Sequence, residues 1–397
     1  MPRIRVLVAR RSLPPLAVVL AVLATINLGV GVGLALTQPS RADDVWIIYD
    51  WCRAWLLRGT QLYADLDAMT DYPPNAIATL APIALVPRSW LVPVVAMLTL
   101  VSTPLLAYVV IRSTAPRARL AVAIVPALLF FCWGGVRTLL EFSRVCLALG
   151  FGSVLLADAR PGTAGVLLGL ALVKPHIGGP VLLWAMFTRH TRVVVIAVLV
   201  AALGVIVYCA RAHVGVVDVL IGYVRTLRSL FAGADAMIGR TSLQQWTHVV
   251  AGDGALGDAF WIVAAGVVLI APCRLAMTAR PSAQAASPAL FCLWSLLAVY
   301  HIGNNLILML PAFVFLLLVD DPETAGWRMA VAAAIQIVLM LDLPVHVYPR
   351  VADSHLGFVA RDADRFAVLL AYVSVVLICR RLDASASAGR AWAHEHR

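Results

Sequence analysis

Long apolar runs recur along this chain, and they decide what it can fold into. The first, Leu13 to Leu36, carries no ionisable side chain and is long enough to cross the ~30 Å hydrocarbon of a bilayer as an α-helix. Comparable runs return at Trp90 to Ile111, Val193 to Cys209 and Leu256 to Cys273, with shorter ones between. Lipid offers no partner for backbone N–H and C=O groups, so each such segment must satisfy its own, and a helix does this. Composition points the same way. Only 13% of the residues are charged, against about a quarter in soluble domains. The sequence therefore predicts an all-α, polytopic integral membrane bundle of roughly ten to twelve transmembrane helices.

The loops carry the orientation. Met1 to Arg11, RSTAPRAR (Arg112 to Arg119), TRHTR (Thr188 to Arg192) and CRLAMTAR (Cys273 to Arg280) are arginine-rich. Basic loops stay in the cytoplasm, so the reading is a multi-pass plasma-membrane protein with both termini cytoplasmic. Residues 1–382 form one membrane domain with outer loops at 38–88 and 210–255, and 383–397 form a basic cytoplasmic tail. Ala164 to Val173 with Ile177 to Phe187, and Pro288 to Tyr300 with Leu306 to Leu318, are pairs too short to cross comfortably. Such segments are tilted, buried by neighbours or re-entrant. The net charge of +10 follows from these arginines and does not imply a nucleic-acid partner.

Several chemistries are absent from the pattern. The seven cysteines are scattered without CxxC spacing, and no histidines show a metal-ligand spacing, so neither a disulfide frame nor a metal site is expected. No Gly-rich phosphate loop or nucleotide-binding unit is visible, and no cofactor is implied. What stands out is a sorting of polar residues to the expected outer face. Asp43 and Asp44 follow the first span closely, and carboxylates so near lipid are costly unless solvated, paired or used. Trp46, Tyr49, Trp51, Trp55 and Tyr63 come next. Their residue types suit a headgroup belt, on an amphipathic helix lying flat over a lipid-accessible cavity. Lys174, the single lysine among 31 basic residues, falls between the members of a short pair and before Pro175. There its ammonium can either bind a lipid phosphate or snorkel to the interface.

Four stretches carry a resemblance. The first runs from Asp44-x-x-x-x-Tyr49 through AWLLRGTQLY (Ala54 to Tyr63) to Tyr72-Pro73-Pro74 and LAPIALVP (Leu80 to Pro87). The others are AGVLLGLALVKPH (Ala164 to His176), GRTSLQQWTHVV (Gly239 to Val250) and YHIGNNLILMLPAF (Tyr300 to Phe313). In this order they resemble the GT-C-type membrane glycosyltransferases of family 87, which include actinobacterial polyprenyl-phosphate-mannose-dependent α-mannosyltransferases. The chain departs from the pattern at Glu141-Phe-Ser-Arg144, where relatives have a G-Q-x-N turn, and at Asn305, where many carry an acid.

The resemblance implies a GT-C-like bundle with amphipathic helices on its outer face. It also implies inverting transfer of a sugar, mannose first and arabinofuranose as the alternative. The donor would be a polyprenyl monophosphate, and the acceptor a lipid-anchored glycan such as a phosphatidylinositol mannoside. It makes Asp44 the candidate base, with His301 as a second catalytic candidate and Asp43 beside the base. Lys174, His176, Tyr72, Asn304 and Asn305 are candidates for substrate binding. Arg144 and Glu141 are either part of that set or an i, i+3 ion pair on one helical face. A polytopic lipid or solute transporter is the reading from another class, and a scaffold without activity is the third. The first would show half-chain repeats and polar groups at mid-bilayer, and the sequence has neither.

Overall fold

The computed structural model describes residues 13–37, 43–64, 70–116, 118–132, 142–232, 242–252, 254–278, 281–299, 303–319, 321–341, 344, 347–351 and 355–395. Among them there is no strand, and the protein is an all-α membrane bundle. In chain order the helices are α1 (Leu13–Thr37), α2 (Asp43–Arg58), α3 (Pro74–Leu80), α4 (Arg88–Thr114), α5 (Leu120–Phe131), α6 (Ser143–Leu156), α7 (Pro161–Ala171), α8 (Pro175–Phe187) and α9 (Thr191–Ala212). Then follow α10 (Val216–Ala232), α11 (Gln244–Ala251), α12 (Ala255–Met277), α13 (Pro281–Ala298), α14 (Leu310–Leu318), α15 (Ala325–Leu341), α16 (Tyr348–Val351) and α17 (His355–Glu395). Short 3-10 turns follow α3 and precede α14. Among the described residues α4, α9 and α12 are long and apolar enough to cross a membrane, and eight shorter apolar helices accompany them. The described fold falls into two compact units, one of Leu28–Leu106 with Arg137–Ile238, the other of Met1–Asn27, Ala107–Val136 and Gly239–Arg397.

In the first unit the tightest seam is between α7 and α9. Gly165 and Gly169 lie four apart on one face of α7. A Cβ built on either would approach the Cβ of Ile196 or Val200 to 2.6 and 2.5 Å, and the Val193 or Ala197 carbonyl oxygen to 2.9 and 3.0 Å. Small residues at this spacing let two helix backbones approach, which is how membrane helices gain contact when lipid removes the hydrophobic drive. The same device joins α3 to α9, where a Cβ on Gly204 would reach Asn75 Cβ at 2.8 Å. The opposite face of α9 is apolar and exposed through Val195, Val198, Leu199, Leu203, Ile206 and Val207, as a lipid-facing helix requires.

The end of α2 is fixed with similar economy. Gly59 takes the left-handed conformation (φ 70°) and its N–H donates to the Trp55 carbonyl at 2.9 Å, an αL cap suited to glycine. Arg211, from the last turn of α9, donates through Nε to the Leu56 carbonyl at 2.9 Å. Indole and phenol rings then hold the α2 end against α9: Trp55 stacks on Tyr208 with centroids 5.6 Å apart and donates Nε1–H to the Tyr208 carbonyl. Tyr49 and Trp55 are buried, so the headgroup-belt reading of these two aromatics gives way to a packing role. Ile47 and Leu57 are the exposed apolar side chains of α2 instead.

The second unit solves the problem of broken helices by donating side chains to orphan carbonyls. α5 ends at Phe131; Gln336 Nε2 from α15 donates to the Leu129 carbonyl at 3.0 Å and Asn27 Nδ2 from α1 to the Phe131 carbonyl at 3.2 Å. At the end of α14 the buried guanidinium of Arg328 donates to the carbonyls of Leu316, Val319 and Asp321 at 2.8, 2.7 and 2.9 Å. Charged donors to backbone acceptors are worth ~1.5–3 kcal/mol each, and a cation belongs at a helix C-terminus. Arg328→Met is therefore expected to lower the melting temperature clearly in detergent, whereas replacing exposed Arg192 by Met should leave it nearly unchanged.

One expectation changes in this unit. The stretch Leu306 to Leu318 is not one helix: residues Gly303–Met309 wind as a 3-10 turn and α14 begins at Leu310, with Pro311 in its first turn. Proline lacks an N–H, so it starts a helix more readily than it continues one. The final apolar run, Phe366 to Cys379, lies within a single helix, α17, that extends in both directions, through 361–365 and onward through 383–395. Asp362 and Arg365, just before the run, are buried in a network that half-buried Arg361 joins. Arg361 and Arg365 pair with Asp362, whose carboxylate also accepts Trp246 Nε1–H at 3.2 Å, and Arg365 donates to Gln245. This ties α11 to α17, a pairing of sequence-distant polar residues.

Candidate functional site

The polar centre of the first unit lies where α6 and α8 begin. α7 stops at Ala171, three residues turn, and Lys174 occupies the cap position of α8 in an extended conformation (φ −115°, ψ 93°). Pro175 takes the first helical position, where its missing N–H costs nothing. The Lys174 carbonyl accepts the N–H groups of Ile177 and Gly178, each at 2.9 Å. The turn has no room for a side chain at Gly178, where a Cβ would meet the Ala171 carbonyl oxygen at 2.7 Å. Asn75, at the start of α3, donates Nδ2–H to the Leu172 carbonyl at 3.3 Å and so ties the turn to the Tyr72-Pro73-Pro74 segment.

The lysine itself points inward. Lys174 is only 5% exposed; its Nζ donates to Ser143 Oγ at 3.0 Å and lies 5.4 Å from the centre of the Tyr72 ring, a cation–π distance. It does not snorkel. Ser143 opens α6, and the next residue, Arg144, is 1% exposed. Arg144 Nη1 donates to Thr103 Oγ1 at 3.2 Å, and that hydroxyl donates in turn to the Thr99 carbonyl at 2.8 Å. Thr103 immediately precedes Pro104, one of two prolines inside α4.

Tyr72 is held from the other side. Its carbonyl accepts the Tyr63 hydroxyl at 2.6 Å, and its ring lies 6.3 Å from Trp51. Tyr63 packs against Tyr208 and Tyr223 at 5.4 and 5.7 Å. Burial, and after it the neighbouring phenols, pushes the Tyr63 hydroxyl well above its ordinary pKa, so it stays protonated and keeps donating. Tyr223 also donates to the Asp71 carbonyl at 3.4 Å.

The electrostatics of this centre have a sign. A lysine caps α8 and an arginine sits at the second position of α6, both on helix ends that already carry positive partial charge. Such an arrangement calls for negative charge, whether a carboxylate of the chain, the phosphate of a ligand, or each in turn.

The structure thus brings Lys174 and Tyr72 together and sets Arg144 beside the serine that holds the lysine. His176 is half-buried in the first turn of α8. Asp43 and Asp44 open α2, but their side chains lie outside the described residues, as do Glu141 and His301 entirely. The Glu141–Arg144 pair therefore lies outside the description too. Asn304 and Asn305 belong to the other unit, in the 3-10 turn before α14; Asn305 is buried, and the Asn304 side chain is not among those described. Sequence reading missed Ser143, Thr103 and Asn75, and gave Tyr63 to the headgroup belt although it is buried. The first two are small hydroxyl residues inside or beside apolar runs, a type that earns attention only once a charge is seen to need a partner. Among the described residues no three His, Cys, Asp or Glu side chains gather as metal ligands.

Comparison with known proteins adds one finding. The model of glycosyltransferase family 87 matches residues 70–300, a stretch that contains Tyr72, Thr103, Ser143, Arg144 and Lys174. Asp43 and Asp44 precede it, and His301, Asn304 and Asn305 follow it. No curated protein and no solved structure matches the chain. With more than half of its length matched, the chain belongs to glycosyltransferase family 87.

Proposed function

We propose that this membrane glycosyltransferase transfers a sugar, mannose first among the candidates, from a polyprenyl monophosphate to a lipid-anchored glycan on the outer face of the plasma membrane. The observation that carries the reading is Lys174, buried on Ser143 and Tyr72 at the start of α8. A family of sugar transferases needs a leaving group, and a buried ammonium beside a second cation suits a phosphate. The absence of a nucleotide-binding motif in the sequence favours a donor that arrives in lipid, and the exposed apolar faces of α9 and α12 give lipid access to the protein.

In this reading Asp44 takes the proton of the acceptor hydroxyl as its oxygen attacks the anomeric carbon. The carbon–oxygen bond to phosphate breaks through an oxocarbenium-like transition state, the configuration inverts, and the electron pair leaves with the phosphate onto Lys174. Arg144 adds positive potential through its place beside Ser143. The family resemblance gives Asp43, Glu141 and His176 to substrate binding and His301, Asn304 and Asn305 to sugar hydroxyls, with His301 also a proton-relay candidate. The Tyr72 ring lies 5.4 Å from the ammonium and adds a cation–π contact.

The test is a transfer assay with membranes that contain the protein, comparing radiolabelled polyprenyl-phosphate mannose, polyprenyl-phosphate arabinofuranose and a nucleotide-linked mannose. Transfer from a polyprenyl phosphate and not from the nucleotide sugar is expected; transfer from the nucleotide sugar alone contradicts the reading. Asp44→Asn should lower kcat by at least about a hundredfold, the upper range of general-base contributions being ~10⁴, with donor KM little changed. A variant with full activity removes Asp44 as the base.

A further inference from the structure

Among the aromatic side chains of α2, Trp51 is the one that packing leaves partly open. Tyr49 and Trp55 are 1% and 2% exposed. The Tyr49 hydroxyl donates to the Val86 carbonyl and the Trp55 N–H to the Tyr208 carbonyl, each at 3.1 Å. Trp46 has the Arg88 guanidinium 5.1 Å from its ring centre. Trp51 is half-buried, and its indole N–H donates to no group among the described residues. Its ring lies 6.3 Å from that of Tyr72, tilted by 57°. Tyr72 is in turn the buried ring whose centre is 5.4 Å from the Lys174 ammonium. Trp51 also has a set place on its own helix. It follows Asp44 by seven residues, so the two positions share one helical line, about 10 Å apart along the axis. The path from the start of α2 to the ammonium thus runs along the helix to Trp51 and then across Tyr72.

We propose that Trp51 is the platform on which the donor's sugar ring rests, holding it between the phosphate at Lys174 and the acceptor hydroxyl near the start of α2. The inference rests on the reading of Lys174 as the partner of the donor phosphate. A sugar ring has a face of C–H bonds and a rim of hydroxyls. The π face of an indole carries negative charge density that attracts such C–H bonds, and its N–H donates to a hydroxyl, so one side chain meets both parts of the ligand. An isoprenoid chain would use the apolar area of the ring and leave the N–H without a partner. An anchor in the headgroup region would stand at the edge of the protein, whereas Trp51 leans on a buried ring beside a buried charge. The division of labour follows from the distances. Trp51 reaches the ammonium only through Tyr72, so it reads the sugar and leaves the phosphate to Lys174.

The experiment titrates two radiolabelled lipids, polyprenyl-phosphate mannose and polyprenyl monophosphate, onto the full chain in nanodiscs, with affinities expressed per folded protein. If the transfer assay selects polyprenyl-phosphate arabinofuranose, that lipid takes the place of the mannose one. Trp51→Ala should weaken binding of the sugar-bearing lipid about three- to tenfold, the worth of an aromatic stacking contact. It should leave polyprenyl monophosphate within a factor of about two. Trp51→Phe keeps a ring against Tyr72 and drops the N–H, so it should fold as the native chain does and recover part of the loss. Lys174→Met should weaken both lipids, which separates the two residues. Equal weakening of both lipids by Trp51→Ala would mean that the ring holds the carrier, and no change in either would mean that it holds no part of the donor. Each of these overturns the proposal and leaves the reading of Lys174 standing. Failure of the native chain to bind either lipid would sink the donor reading itself, and the platform with it.

Discussion

Lys174→Met is expected to raise the donor KM and lower kcat/KM by about ten- to a hundredfold, the ~1.5–3 kcal/mol of a charged hydrogen bond, while the protein remains folded. Methionine matches the lysine stem in length and volume. The site left behind keeps the Tyr72 ring and Ser143, whose hydroxyl loses a donor but retains its own proton to place. Removing one charge from a buried polar centre costs stability as well, so a lowered melting temperature is expected beside the fall in catalysis, and kcat/KM is compared per folded protein. Lys174→Arg preserves the charge with a planar fork and should recover part of the loss. Ser143→Ala removes the hydroxyl that orients the ammonium and should reproduce a smaller increase in donor KM with kcat nearly intact. If Lys174→Met loses stability but keeps kcat/KM, the lysine is a structural cation and the polar centre is no donor site.

The second large effect concerns the scaffold that presents this lysine. Gly169→Leu should abolish accumulation of folded protein, and Gly169→Ala should cost about 1–3 kcal/mol, the range for overpacked cores. The reason is the 2.5 Å approach of the missing Cβ to Val200 and the 3.0 Å approach to the Ala197 carbonyl oxygen. Backbone atoms cannot step aside, so α7 must move off α9, and the turn that carries Lys174 moves with it. Alanine's better helix propensity, worth about 1 kcal/mol over glycine, offsets only part of this. Gly179 is the control: it lies in α8, a Cβ there meets nothing within 4 Å, and Gly179→Ala should be neutral or mildly stabilising. Thermal unfolding followed by size-exclusion chromatography in detergent reads all three. Equal melting temperatures for Gly169→Ala and Gly179→Ala would mean the seam between α7 and α9 is looser than the geometry requires.

Much of this architecture was legible because it follows from local chemistry. Leu13 to Leu36, Trp90 to Ile111 and Val193 to Cys209 became α1, α4 and α9 within a few residues at each end; an apolar run that meets lipid has no alternative to a helix. Lys174 was legible for a related reason: one ammonium before a proline, between two short apolar segments, has few places to go. The choice between snorkelling and burial was not legible, since it depends on Ser143 and Tyr72, residues 31 and 102 positions away in the chain. The aromatics of α2 failed in the same way. Tryptophan and tyrosine suit an interface and a core equally well, and only contact with Tyr208 decides for Trp55. The spacing of Gly165 and Gly169 went unread, because it has no partner until α9 is placed against it.

The network at the start of the last apolar run shows the limit from the opposite direction. Arg361, Asp362 and Arg365 read as polar residues ahead of a span, yet they are helical and largely buried because Gln245 and Trp246 supply their partners. Charge patterns along a sequence reveal that a cost exists and leave open which distant group offsets it. Arg328 repeats the point, since its three carbonyl acceptors are created by the end of another helix.

The account turns on Lys174 meeting the phosphate of a lipid carrier, and binding tests this without any sugar or acceptor. Radiolabelled polyprenyl monophosphate, titrated onto the purified protein in nanodiscs, should saturate with the native chain, bind at least about tenfold more weakly to Lys174→Met, and recover in part with Lys174→Arg. Equal affinity for the native chain and the methionine variant would contradict it.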